Sequence, residues 1–147
     1  IKCTSTSDSW AVYHRSLGAT KFMVLNTTAA AVSSSNYWND TEPTSSSFTV
    51  NIASDVNASG QTYVAYLFAH NAGGFGLTGT DNVISCGSFT TDSSGNATVN
   101  LGWEPQWILS RDSAVVDNWT IEDNMRGLTV NSGGGTAVLT LIQAGVA

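Results

Sequence analysis

Apolar residues in this chain come in short runs rich in Val, Ile, Thr and aromatics, each cut off by Gly, Asn, Asp or Ser, and helix signals are nearly absent. Branched and aromatic side chains suit a pleated, half-buried surface, while the punctuating residues supply turns. The pattern predicts strands over residues 10–14, 21–26, 47–52, 62–70, 82–90, 97–101, 106–110, 119–122 and 136–143. The one helical contender, Ala29 to Ala31, is too short and too closely flanked by Ser and Thr to persist. Many short strands with such turns indicate an all-β chain, an antiparallel β-sandwich of jelly-roll type.

Alternation tells which strands face water. Phe48, Val50 and Ile52 point one way with Thr49 and Asn51 between them, which predicts one buried and one wet face. Residues 63–69 are apolar at every position, which predicts a central strand covered on both faces. On that expectation Tyr66→Ala or Phe68→Ala would each cost roughly 3–5 kcal/mol. Residues 136–142 read similarly. Asp92 to Asn96 supplies Asx hydrogen bonding and a glycine between two strands, and Asn57 to Gly60 does the same before the expected central strand. Gly73 to Gly76 and Gly133 to Gly135 read as loops.

The 147 residues fit a single module with a core that needs no metal or disulfide staple. Hydrophobic residues make up 41%, an ordinary share, but charged residues only 11%, against roughly a quarter in an average domain. Ser, Thr, Asn and Gly fill the deficit, a composition that suits extracellular and virion β-proteins. Net charge is −6, and the five basic residues, Lys2, Arg15, Lys21, Arg111 and Arg126, are scattered singly. No patch exists to neutralise a run of phosphates, so nucleic acid is not expected as a partner. No apolar run approaches the roughly 20 residues that span a bilayer, so membrane insertion is not expected. There is no signal peptide and no initiator methionine, so the chain is expected to be a piece of something longer. Cys3 and Cys86 form no CxxC pair. They read as ordinary buried or half-buried thiols, and whether they bond to each other stays open.

Chemistry is hard to find. His14 and His70 each lack a second ligand at metal spacing and read as strand-end residues bonded to backbone. There is no G-x-S-x-G elbow. Glu42, Glu104 and Glu122 are the only glutamates. Glu42 and Glu104 each neighbour a proline and read as turn residues facing solvent, not as a glycosidase pair. Gly73 to Gly76 lacks the lysine and helix of a phosphate loop, and Asp81, Asn82 and Asp92 to Asn96 lack the oxygen spacing of a calcium loop. The Asn-x-Ser/Thr matches at Asn26, Asn39, Asn57, Asn96 and Asn118 are what this composition yields by chance. No enzyme activity, metal or cofactor is expected. Aromatics are the remaining lead. Tyr37, Trp38 and Trp103 sit in polar, turn-like surroundings where a ring stacks on a sugar or a neighbouring subunit, and they are the candidate binding residues.

Two segments echo each other. Ile1 and Lys2 lead through a polar turn to Trp10 and residues 11–14, then Leu17 and Gly18; Ile108 and Leu109 lead through Arg111, Asp112 and Ser113 to Trp119 and residues 120–123, then Arg126 to Leu128. Each reads as strand, polar hairpin, then a strand opening with Trp. Trp10 and Trp119, at equivalent positions, are expected in the core. Residues 101–108 supply a lead-in strand that the first copy lacks, so the sheet beside Ile1 to Cys3 is expected to have an open edge. Strand 136–143, a neighbouring subunit or an upstream domain would cover it.

At these residues the chain resembles a module repeated in tail-fibre and other structural proteins of tailed bacteriophages, largely marine ones. The matching stretches are residues 9–18 (SWAVYHRSLG), 25–28 (LNTT), 38–44 (WNDTEPT), 60–69 (GQTYVAYLFA), 86–89 (CGSF), 101–108 (LGWEPQWI) and 119–127 (WTIEDNMRG). The chain departs from that pattern in three places. The glycine–proline lead-in before the first Trp motif is missing, the basic strand before the second keeps only Arg111, and the tail after Gly127 matches nothing in it. The resemblance implies a virion component, either a tail-fibre segment contacting the host or a decoration protein on the capsid, with no catalytic residues to carry over. It implies packing against itself and other virion proteins, and a trimer by analogy with phage fibres. A carbohydrate-binding module recognising host surface glycans is the alternative.

Overall fold

A computed structural model describes residues 1–125, 130–131 and 138–141. Its strands are short and every pairing is antiparallel, so the fold is all-β. Two single helical turns, α1 (Ser35–Trp38) and α2 (Ser54–Asn57), are the helical elements among these residues, and none is long or apolar enough to cross a membrane. The module is built as two compact units. One comprises Ile1–Phe68 with Arg111–Trp119, the other Ala69–Ser110 with Thr120–Ala147.

In the first unit, β1 (Lys2–Cys3) pairs with β5 (Tyr63–Val64), and β2 (Ala11–Val12), β3 (Lys21–Val24) and β4 (Val32–Ser33) form a three-stranded meander. A bridge between Lys2 and Trp10 joins the two sets, and Ile1 and Ala11 exchange both backbone bonds, at 2.7 and 2.9 Å. β1 is therefore flanked on both sides, which corrects the open edge expected at Ile1 to Cys3.

Directly opposed residues share a face of a sheet. Ala11 lies opposite Val24, and Phe22 opposite Val32, and this face carries the core. Ala11, Ala19, Trp38 and Val56 are its buried centre, with Ile1, Tyr13, Phe22, Tyr37, Val50 and Ala53 packed around them. The turn α1 forms because Ser34 caps it, its hydroxyl accepting from the Asn36 amide, and Asn39 ends it at φ 54°, a conformation asparagine tolerates. The turn between β2 and β3 needs glycine at Gly18: φ is +75°, and a Cβ there would sit 3.2 Å from a Glu42 carboxylate oxygen.

In the second unit, β7 (Trp107–Ser110) and β8 (Thr120–Asp123) form a hairpin. β6 (Ala97–Asn100) and β9 (Val130–Asn131) flank β10 (Val138–Leu141). The C-terminal strand thus pairs within this sheet. The rest of the expected strand 136–143, the burial of its side chains and the loop at Gly133 to Gly135 lie outside the described residues. Ala97 and Pro105 are buried. The Asx turn read at Asp92 is present: its carboxylate accepts from the Ser94 and Asn96 amides at 2.8 and 2.9 Å. The 73–76 loop closes through backbone bonds, and Gly76 permits it, since a Cβ there would fall 1.9 Å from an Asp81 oxygen.

Three expected strands are corrected. Of residues 62–70 only Tyr63–Val64 pairs. With Val64 opposite Lys2, the following residues lie past the paired segment, and Tyr66, Leu67 and Phe68 are 67%, 72% and 62% exposed. Residues 47–52 bond to α1 in place of a strand, the Asn51 amide donating to the Tyr37 carbonyl at 2.8 Å. Val50 packs on the core while Phe48 and Ile52 are exposed. Residues 82–90 hold no strand; Ile84 accepts one bond from the Asn71 amide, and Asp81 bridges Phe75.

These placements reverse the expected mutational costs. Leu67→Ala should change stability by no more than about 0.5 kcal/mol. Trp38→Ala, at a buried ring, should cost about 3–5 kcal/mol. Urea denaturation of the two variants checks the contrast, and equal costs would place residues 65–68 in a core.

Candidate functional site

Of the three candidate binding residues, two are structural. Trp38 is 4% exposed, its indole N–H donates to the Lys21 carbonyl at 3.0 Å, and the Tyr13 ring meets it edge-on at 6.0 Å. Tyr37 is half-buried, stacked on Phe22 with ring centroids 3.6 Å apart and donating to the Asp55 carboxylate at 2.9 Å. Both rings are committed to holding α1 on the sheet. Trp103 is half-buried in the loop between β6 and β7 and belongs to the other unit. Tyr37 and Trp38 are neighbours on α1, their rings 6.0 Å apart.

What it does assemble lies in the first unit, around Trp119. Residues 111–119 run as a strap along the connection from β3 to β4. Ala31 donates to the Ser113 carbonyl at 2.9 Å, and Asp117 donates to the Thr28 carbonyl at 3.0 Å. Arg111 fastens one end. Its guanidinium donates to the carbonyls of Val24 (3.3 Å), Thr27 (3.1 Å) and Ala29, and sits 5.4 Å from the centroid of the Trp119 ring. The Trp119 indole N–H donates to the Val24 carbonyl at 3.1 Å, so one carbonyl serves both side chains. Only the buried Arg111 Nε finds no partner among the described residues.

Trp119 is half-buried at the rim of a cleft, not enclosed in the core as expected, because its indole N–H reaches a backbone carbonyl there and Arg111 covers one face of the ring. Trp10 is also half-buried, stacked on Tyr66 at 5.9 Å. The sequence echo survives in another form. The backbone of Lys2 bridges that of Trp10, while the Arg111 side chain stacks on Trp119, so a basic residue stands eight positions before the tryptophan in both segments. That shared spacing was the available signal for Arg111.

The cleft is a shallow, largely open depression of about 280 Å³, lined by Leu25, Asn26, Thr27, Thr28, Asn118 and Trp119. Asn26 is oriented by the Trp10 amide, which donates to its side-chain oxygen at 2.9 Å. The lining offers hydroxyls, amides and one aromatic ring, but no carboxylate, imidazole or thiol. Such a surface can bind; its threonine hydroxyls have no base beside them among these lining groups to make a nucleophile. Among the described residues no three His, Cys, Asp or Glu side chains gather as metal ligands. Both histidines accept backbone N–H bonds, His14 from Ser16 and His70 from Cys86. Cys3 is buried with its thiol against Ser5 and Thr6, and Cys86 is half-buried.

Glu42 does more than face solvent. One carboxylate oxygen accepts from the Tyr13 hydroxyl at 2.5 Å and the other from the Ala19 amide at 2.7 Å, tying residue 42 to the turn between β2 and β3. The Tyr13 bond first, and the Ala19 amide second, hold this carboxyl below the ordinary range. Burial, then the bond to Glu42 and its charge, pushes Tyr13 up to about 12; burial, then Asp55, does the same for Tyr37.

Two predictions follow from this geometry. Arg111→Ala should cost about 1.5–3 kcal/mol, the range for hydrogen bonds made by a charged group. Arg111→Lys should recover little of it, since an ammonium cannot span three carbonyls and a ring face together. Urea midpoints of both variants check this, and full rescue by lysine would reduce the clamp to a point charge. The second concerns pH. The folded chain keeps Tyr13 and Tyr37 protonated above about pH 10, where an unfolded chain releases those protons. Their contribution is whole below that value and is lost as pH rises toward about 12. Glu42 acts in the opposite sense, its contribution present above the ordinary carboxylate range and lost as pH falls through its lowered pKa. Urea midpoints for wild type and Tyr37→Phe at about pH 8 and about pH 11 test the alkaline arm. The wild type should lose more stability between the two than the variant does.

No curated protein and no solved structure matches the chain. One family model does match, a domain of unknown function, over residues 1–140; the protein belongs to that family, DUF7483.

Proposed function

We propose that this chain is a non-enzymatic structural module of a bacteriophage particle, in a tail fibre or as a capsid decoration, that packs against copies of itself or other virion proteins. One observation carries the packing half of this reading. In the β7–β8 register Leu109 lies opposite Ile121, and Trp107 falls two residues from Leu109, so the three share a face of the hairpin. They are 37%, 52% and 50% exposed respectively. A two-stranded hairpin is at best marginal in water unless a third strand or a packing surface supports it. Apolar side chains grouped on one face of such a ribbon are what a partner would cover. The low charge supports the same reading, because few ions need desolvating when such a surface is buried. The virion setting rests on the resemblance in residues 9–18, 25–28, 38–44, 60–69, 86–89, 101–108 and 119–127.

Sedimentation of the purified chain tests the packing. Wild type should run as an oligomer, with the trimer as the expected species, and the double variant Trp107→Ser, Ile121→Ser should run at the 15.4 kDa of one chain. A wild-type monomer at high concentration would overturn self-packing through this face. Antibody labelling of intact particles tests the setting, since fibre and capsid labels are separable by eye.

A further inference from the structure

We propose that the cleft beside Trp119 is a saccharide site that takes one pyranose unit of a glycan. This goes beyond the packing role, and its failure would leave that role untouched.

The argument begins with which groups are already engaged. The Thr27 carbonyl accepts from Arg111 and the Thr28 carbonyl from the Asp117 amide, so the backbone behind the cleft is pinned. The side chains are not. The Thr27 and Thr28 hydroxyls and the Asn118 amide make no hydrogen bond to the described residues, although each lines the cleft. Asn26 has its oxygen turned to the Trp10 amide, which leaves its two N–H donors for another acceptor. Four neutral polar side chains on a pinned backbone thus offer donors and acceptors to a ligand.

Their chemistry selects the ligand class. No lining residue carries charge, and the nearby guanidinium already serves three carbonyls, so an anion finds no cation to pair with. A wholly apolar ligand would strand the hydroxyls and amides without partners. A sugar ring presents hydroxyls to such groups and C–H edges to an aromatic ring, whose negative face attracts them. Arg111 covers one face of Trp119, so the ligand meets the other face or the ring edge. A shallow, open depression of about 280 Å³, just below the usual range for ligand clefts, offers contact to one ring, with weak binding to match. Binding should not vary across neutral pH, because none of the lining side chains titrates there.

The test uses the full chain and D-glucose, D-galactose, D-mannose, L-rhamnose and N-acetyl-D-glucosamine as probes, each titrated into the tens of millimolar. The Trp119 indole and Asn118 side-chain amide resonances are followed by NMR. At least one sugar should shift both saturably. Asn118→Ala and Thr28→Val, which remove no hydrogen bond seen within the fold, should each weaken that binding about five- to tenfold. Ile121→Ser should leave it unchanged. No saturable shift with any of the five sugars would overturn the proposal. So would shifts that both variants leave intact, or shifts that glycerol reproduces.

Discussion

The indole N–H of Trp38 bonded to the Lys21 carbonyl is the contact on which the first unit turns. A buried indole must find an acceptor, and the Lys21 carbonyl at the start of β3 supplies it. Meeting that need fixes where the helical turn sits on β3. Ala11 and Ala19, both small, leave room for the ring, and Val56 from α2 closes the far side. Tyr37, its neighbour in α1, is then carried onto Phe22, and residues 51–53 are drawn along the turn by bonds to the carbonyls of Tyr37 and Asn36. A core with few fully buried side chains is thus specified by one polar atom inside it.

Strand type and turn chemistry were legible in the sequence; burial was not. β2, β3, β6, β7 and β8 fall where branched and aromatic runs placed them, β8 shifted by one residue and the others shortened by one to three, and the Asx turn at Asp92 follows from its residues alone. The run through Tyr66 and Phe68 misled because uniform apolarity reports an aversion to water and says nothing of which residues find a strand partner. Tyr37 and Trp38 misled for the opposite reason. Ser34 and Asn39 beside them cap a single helical turn, and local polarity hid a buried face. The cleft at Trp119 was out of reach in a different way. It depends on Leu25 to Thr28 meeting a strap some ninety residues later, and periodicity carries no information about such pairings.

The cation and tryptophan pairs offer a compact account of the internal echo. A long basic side chain set against an indole lies along the ring with its apolar stem and keeps its head near carbonyls or water. Lys2, whose backbone bridges Trp10, sets its Nζ on the Cys3 carbonyl at 2.8 Å, and it is Arg111 that does this, with three carbonyls. The planar fork of arginine suits the second setting, where a strap must be held to a neighbouring loop and not merely to its own strand.

The path of the chain through its two units has a consequence of its own. The chain leaves the first unit after Phe68, returns to it for Arg111–Trp119, and departs again at Thr120, so each unit is discontinuous in sequence. No single cut separates them. A fragment ending at Phe68 would lack the guanidinium that gathers the carbonyls of residues 24–29 and the indole that shares one of them. A fragment starting at Ala69 would carry that strap with nothing to fasten to. The strap begins directly after, and ends directly before, the Ser110–Thr120 rung of the β7–β8 ladder.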